Sequence, residues 1–169
     1  MRCPACAAEM SQSQGYGASV ELCPSCGCCW ATRASMKAAI EGIERRFTAE
    51  TLAALRTECT ERRRAALTAP SPSGVAYRKC PVCGVQMHRK AFAPRSGIVA
   101  EVCAVHGFLL GAGQLEAIRE YVTRGGEMLV LEAANQQLVE QLSDLKRKVT
   151  DLEQARAQTA GSVEVFFVG

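Results

Sequence analysis

Cys80-Pro81-Val82-Cys83 … Cys103-Ala104-Val105-His106-Gly107 is the stretch on which the reading of this chain turns. A Cys-x-x-Cys turn sets two sulfurs on one side of a metal ion. A second x-x pair, one short hairpin later, supplies two more ligands. Three thiolates and one imidazole form a common tetrahedral structural zinc set. The plan occurs twice. Cys3-Pro4-Ala5-Cys6 … Cys23-Pro24-Ser25-Cys26-Gly27 repeats it with four cysteines. The spacing therefore predicts one zinc at Cys3, Cys6, Cys23 and Cys26, and one at Cys80, Cys83, Cys103 and His106.

Composition narrows the setting. The chain has 169 residues, ten cysteines and a formal net charge of +3. Its apolar residues are spread over two small cysteine modules and several amphipathic segments, so a metal is the expected staple for each module. A disulfide framework is disfavoured, because Met1 runs straight into Arg2-Cys3-Pro4 with no apolar leader. Paired Cys-x-x-Cys motifs in a reducing cytoplasm hold metal. No segment is apolar over a membrane-spanning length, and +3 is too weak to argue for nucleic acid by itself.

Working outward, residues 1–33 form the first ribbon. Val20 and Leu22 alternate with polar neighbours, as in a short strand. Gly27 sits where a positive φ is needed. Cys28 and Cys29 follow at once, so Cys26, Cys28 and Cys29 compete as ligands; the x-x spacing favours Cys26. Cys28 and Cys29 are otherwise small buried residues or a redox pair beside the metal. Trp30 covers the site or packs on the next helix.

Residues 34–67 read as helical, with Met36, Ile40, Ile43 and Phe47 at helical spacing and Thr48 capping a second helix that carries Leu52, Leu55 and Cys59. Arg62-Arg63-Arg64 is a solvated helix end or a phosphate contact. A linker covers 68–76, rich in proline and serine. The second ribbon covers 77–112, with strands near Gln86–Phe92 and Ile98–Val102, a turn at Arg95-Ser96-Gly97, and a last strand at Phe108–Leu110. His88 reads as exposed. A helix follows over 113–124, broken at Gly125-Gly126.

Residues 127–157 carry heptads. Leu131, Leu138, Leu145 and Leu152 take d; Met128, Asn135, Leu142 and Val149 take a. Leucine at d with a lone asparagine at a is the pattern of a parallel two-stranded coiled coil. Lys148 at g is then placed to meet Glu153 at e of the partner helix. Val139 at e widens the stripe, which leaves higher-order packing or docking on the chain's own helices open. Residues 158–169 form a tail whose apolar end, Val163-Glu164-Val165-Phe166-Phe167-Val168-Gly169, is strand-prone.

Both modules resemble the bacterial TFIIB-type zinc-ribbon, or transcription factor zinc-finger, family. The second is the closer match, through Cys80-Pro81-Val82-Cys83-Gly84, Met87, Arg89, Phe92, Ser96-Gly97, Val102-Cys103 and His106-Gly107. The first matches at Cys23-Pro24-Ser25-Cys26-Gly27 and Trp30, while Cys28 and Cys29 replace the usual glycine and aliphatic residue. The resemblance covers about half the chain, the length of two such modules. It implies structural zinc at the eight ligands named above. The acidic, helix-opening stretch usual after such a ribbon is missing at Ala31–Met36 and Gly111–Leu115.

The expected architecture is small α+β: two zinc ribbons, each a short antiparallel hairpin followed by a helix, plus a C-terminal coiled-coil helix. Three functions fit it. The first is a non-enzymatic, zinc-stabilised, cytoplasmic scaffold or adaptor, a homodimer through 127–157 that presents its ribbons to a protein partner. The second is a nucleic-acid or transcription-machinery binder using Arg62, Arg63, Arg64, Arg89, Lys90 and Arg95, together with Arg78 and Lys79, on one face. The third is a thiol redox sensor using Cys28 and Cys29.

Overall fold

Cys29-Trp30-Ala31-Thr32 explains why the two cysteine modules do not stay apart. This segment, which the sequence reading did not assign to a strand, is the third strand of the first module. The computed structural model describes residues 1–15, 17–68 and 77–164. Within them the strands are β1 (Ser11–Gly15), β2 (Ala18–Leu22), β3 (Cys29–Thr32), β4 (His88–Ala91), β5 (Val99–Cys103) and β6 (Gly107–Leu110). The helices are α1 (Arg33–Ile40), α2 (Ala49–Thr68), α3 (Gln114–Thr123) and α4 (Gly126–Glu164).

All strands join one antiparallel sheet in the order β1-β2-β3-β6-β5-β4. The two hairpins expected as separate ribbons are thus the two halves of a single sheet, sealed where β3 pairs with β6: Cys29 opposite Leu110, Trp30 opposite Leu109, Ala31 opposite Phe108 and Thr32 opposite Gly107. The order reads the same from either edge, and each half continues into two helices. The repeat unit is therefore three strands and two helices.

Period-two alternation then assigns the residues to two cores. On one face Ala18, Val20, Cys29, Ala31, Ala100, Val102 and Leu110 meet the helices through Met36, Leu55, Cys59, Leu115, Ile118 and Tyr121. On the other face Trp30 and Leu109 join Met10, Met87, Cys28 and the inner cysteines of both quartets. Burial of such side chains contributes roughly 25 cal/mol per Å².

Local chemistry sets the helix ends. Thr32 caps α1, its hydroxyl accepting from the Ser35 N–H at 3.0 Å. The helix stops at Ile40, because Glu41 is extended and Gly42 has φ +79°. Ile43 and Phe47, expected on a helix, therefore lie in a loop; Ile43 still packs on the core. Thr48 caps α2 as anticipated, trading hydrogen bonds with Thr51. Arg124 at the end of α3 grips Glu58 of α2 with two 2.8 Å hydrogen bonds.

The chain divides into two units, Met1–Val130 and Leu131–Gly169. The first turn of α4 belongs to the first unit: Tyr121 donates to the Gly126 carbonyl at 2.6 Å, and Leu129 is buried. From Leu131 onward α4 stays helical to Glu164, past the expected end at 157 and through Gly161. One glycine costs an exposed helix only about 1 kcal/mol, too little to end it. The strand expected over 163–169 begins inside this helix, and 165–169 lie outside the described residues, as does the linker from 69 to 76.

Candidate metal centres

Each quartet is assembled from a tight turn and a strand end. In the first, the Cys3 N–H donates to the Ala8 carbonyl and the Ala7 N–H returns to Cys3, curling Cys3–Cys6 into a knuckle. Cys23 N–H to Cys28 carbonyl and Gly27 N–H to Cys23 carbonyl build the facing knuckle, with Gly27 at φ +69° as expected. The second module repeats the first turn, with Cys80 N–H to Val85 and Gly84 N–H to Cys80. Its facing turn joins β5 to β6, where Cys103 pairs with Gly107.

The ligand atoms of Cys3, Cys6, Cys23 and Cys26 lie within 4.8 Å of one another, as do those of Cys80, Cys83, Cys103 and His106. Sulfur separations are 3.6 Å for Cys3–Cys26, 3.4 Å for Cys6–Cys23 and 3.5 Å for Cys6–Cys26. Cys83–Cys103 is 3.9 Å, and His106 Nδ1 lies 3.5 Å from Cys103 and 3.8 Å from Cys80. A tetrahedron with metal–sulfur bonds of about 2.3 Å has edges of roughly 3.8 Å, and of roughly 3.5 Å to an imidazole nitrogen. The donor sets fit a metal ion each. They do not fit disulfides, whose sulfurs sit about 2.05 Å apart, and all ten cysteines are free.

Backbone dipoles prepare the thiolates. The Cys28 N–H draws the Cys26 thiol down to about 6. The N–H groups of His106 and Val105 draw Cys103 down to about 6. At Cys6 the Ala8 N–H also pulls down, but thiol hydrogen bonds to Cys23 and Cys26 outweigh it and the group rises to about 12. Each quartet thus holds one thiol ready to ionise at neutral pH, the form that a metal takes.

Of Cys26, Cys28 and Cys29, it is Cys26 whose sulfur lies in the group that could hold a metal ion. Cys28, just before β3, packs in the metal-side core, and Cys29, the first residue of β3, in the helix-side core. Burial pushes Cys28 up to about 12 and Cys29 up to about 11, far from a reactive thiolate. Trp30, 2 % exposed, packs in the core that holds the inner cysteines of both quartets. Cys59 is core and His88 is exposed, as read.

The basic residues do not form one face. Arg89 and Lys90 are neighbours on β4 and line cavities on opposite sides of the sheet. Arg62 donates to the Ser96 carbonyl at 3.2 Å, and Arg62 and Arg63 lie against Gly97, so these two reach the turn that holds Arg95. Arg64 is exposed on α2. Two polar contacts near the metal-side core escaped sequence reasoning. Arg33 donates to the Cys103 and Ala104 carbonyls of the second knuckle, and Arg78 pairs with the buried Glu101. Glu101 did carry a signal, a lone acid between Ala100 and Val102 in an apolar strand.

Comparison with family models, with curated proteins and with solved structures gives no match. Among the described residues no helix is long and apolar enough to cross a membrane.

Proposed function

We propose that this protein is a zinc-stabilised, non-enzymatic adaptor, each module a zinc ribbon, that dimerises through α4 and offers its double-module body to a protein partner. The observation that carries the reading is the pair of quartets, each with four protein ligands at tetrahedral spacing. A thiolate-rich tetrahedral set selects zinc among the common divalent ions. Four protein ligands also leave no coordination position for a reacting water, which a catalytic zinc requires. Structural zinc supplies about 10 kcal/mol or more of folding free energy in zinc-finger peptides.

Support for the dimer lies in the exposed heptads. Leu131, Leu138, Leu142, Leu145, Val149 and Leu152 are 53–71 % exposed along α4. An apolar stripe of this length seeks a partner, and Asn135 at a favours a parallel pair. The nucleic-acid reading is weakened because Arg89 and Lys90 face opposite ways, and the redox reading because both thiols are buried. Native mass spectrometry with elemental analysis tests the proposal. Two zinc ions per chain on a dimer are expected. A metal-free or monomeric protein overturns it.

A further inference from the structure

We propose that the groove between α1 and the edge strand β4 binds an extended peptide of alternating apolar and acidic residues, which adds to β4 as a seventh strand. The proposal deepens the adaptor reading, on which it rests, by stating the chemistry of the partner segment.

Three observations lead to it. First, β4 is the end of the strand order, and among the described residues it pairs only with β5. All four of its residues, His88 to Ala91, are exposed. Its outward N–H and C=O groups are a template for one more strand.

Second, a groove of about 420 Å³ lies beside this edge on the helix side. That volume falls in the range of ligand-binding clefts. Met36, Ala100 and Val102 make an apolar floor, while Arg33, Lys37 and Lys90 line it with positive charge and no carboxylate does. Arg33 is fixed there, its guanidinium 5.6 Å above the Phe108 ring. Side chains alternate along a strand. An added strand would therefore send one set of alternate residues over the apolar floor, beside Arg33, Lys37 and Lys90, and the other set toward Arg89 on the opposite face, so that acids in either set meet a cation.

Third, the two repeats differ at this place. The corresponding cleft of the first module, about 340 Å³ beside β1 and β2, is lined by Ser13, Val20, Leu22, Leu115 and Glu116 among others, and by no lysine or arginine. Of these two clefts, both lined by described residues, the one beside β4 is the cationic one. The charge also selects the occupant. Cations on an edge repel the same edge of a second copy and attract an acidic strand.

The test uses the zinc-loaded full chain and three probes: a heptapeptide alternating valine or phenylalanine with glutamate, the same peptide with lysine for glutamate, and octanoate. Titration calorimetry gives affinity, and amide hydrogen exchange locates the contact. The glutamate peptide is expected to bind at least tenfold more tightly than the lysine peptide and to slow exchange in His88–Ala91 at least tenfold. The double variant Arg89→Glu with Lys90→Glu, at exposed positions, should reverse the preference between the peptides. Equal affinity for both peptides, unchanged exchange in β4, or binding of octanoate alone overturns the proposal. Zinc content and native mass on the same samples report the adaptor reading separately. A zinc-loaded dimer that ignores the glutamate peptide overturns only the groove assignment.

Discussion

Ala7 and Gly84 occupy the same place in the two knuckles, directly after Cys6 and Cys83, and both adopt positive φ, 62° and 71°. Alanine pays roughly 1–2 kcal/mol in that region and glycine pays far less. Ala7→Gly should therefore stabilise the first module by about 1 kcal/mol, after allowance for the greater freedom of glycine in the unfolded chain. Urea unfolding of the zinc-loaded protein measures it, and a destabilised variant would contradict the knuckle geometry. The neighbouring cysteines separate by role. Cys26→Ser should remove one metal ion per chain, because it deletes a ligand of the first quartet. Cys28→Ser should retain both ions, since Cys28 lies outside either quartet. Elemental analysis distinguishes them, and metal loss in the Cys28 variant would reassign the ligand. The ligand types were legible in the sequence because x-x spacing is a local property of a turn. Which side of the sheet each of Cys28 and Cys29 would take was not, because alternation needs a strand and its register.

At the scale of elements, α4 carries the clearest expectation. Leu145, 57 % exposed at d in the middle of the heptads, should sit at the centre of a dimer seam. Leu145→Asp would bury a charge in that seam. If the proposed dimer forms, the variant should be a monomer with the same metal content as the parent, as sedimentation and elemental analysis would report. A variant that remains dimeric would move the interface off α4. The α2–α3 contact gives a pH dependence. Hydrogen bonding by Arg124 holds Glu58 below its ordinary carboxyl value of 4.5. A depressed folded value stabilises the folded state above the unfolded value. That contribution fades as pH falls through the folded one. Stability should thus fall below about pH 4.5, more gently in Arg124→Met, in thermal unfolding followed from pH 6 to 3. Glu58 is 42 % exposed, so solvent screening limits the pair to about 1 kcal/mol. An identical profile in the variant would remove the pair from the account. Here the sequence was informative about Thr48 as a cap and misleading about Ile43 and Phe47. Apolar spacing alone does not show that Glu41 and Gly42 turn the chain out of the helix.

For the molecule as a whole, the β3–β6 seam decides the behaviour. A Cβ at Gly107 would lie 2.2 Å from the Ala31 carbonyl oxygen and 2.9 Å from the Thr32 Cα, both backbone atoms of the other module. Gly107→Ala must push the strands apart and should cost about 3 kcal/mol, the upper end for overpacking. The damage should reach both halves, because Trp30 and Leu109 pair across the seam and share a core with Cys3, Cys23, Cys80 and Cys103. Tryptophan fluorescence and metal release under chelation should then show both changes at lower denaturant than in the parent protein. Loss confined to the second quartet would mean that the modules are independent.

The sequence by itself determined the two ligand quartets, the hairpins that carry most of them and the heptad stripe, because each rests on spacing within one short segment. The tertiary structure alone decided that the two modules form one sheet, that Trp30 is shared between them, and that the basic residues divide between two faces. Those facts depend on the pairing of β3 with β6, residues about 79 positions apart. Nothing in Cys29-Trp30-Ala31-Thr32 names its partner strand. The choice follows from burying both apolar faces at once, a condition of the whole fold.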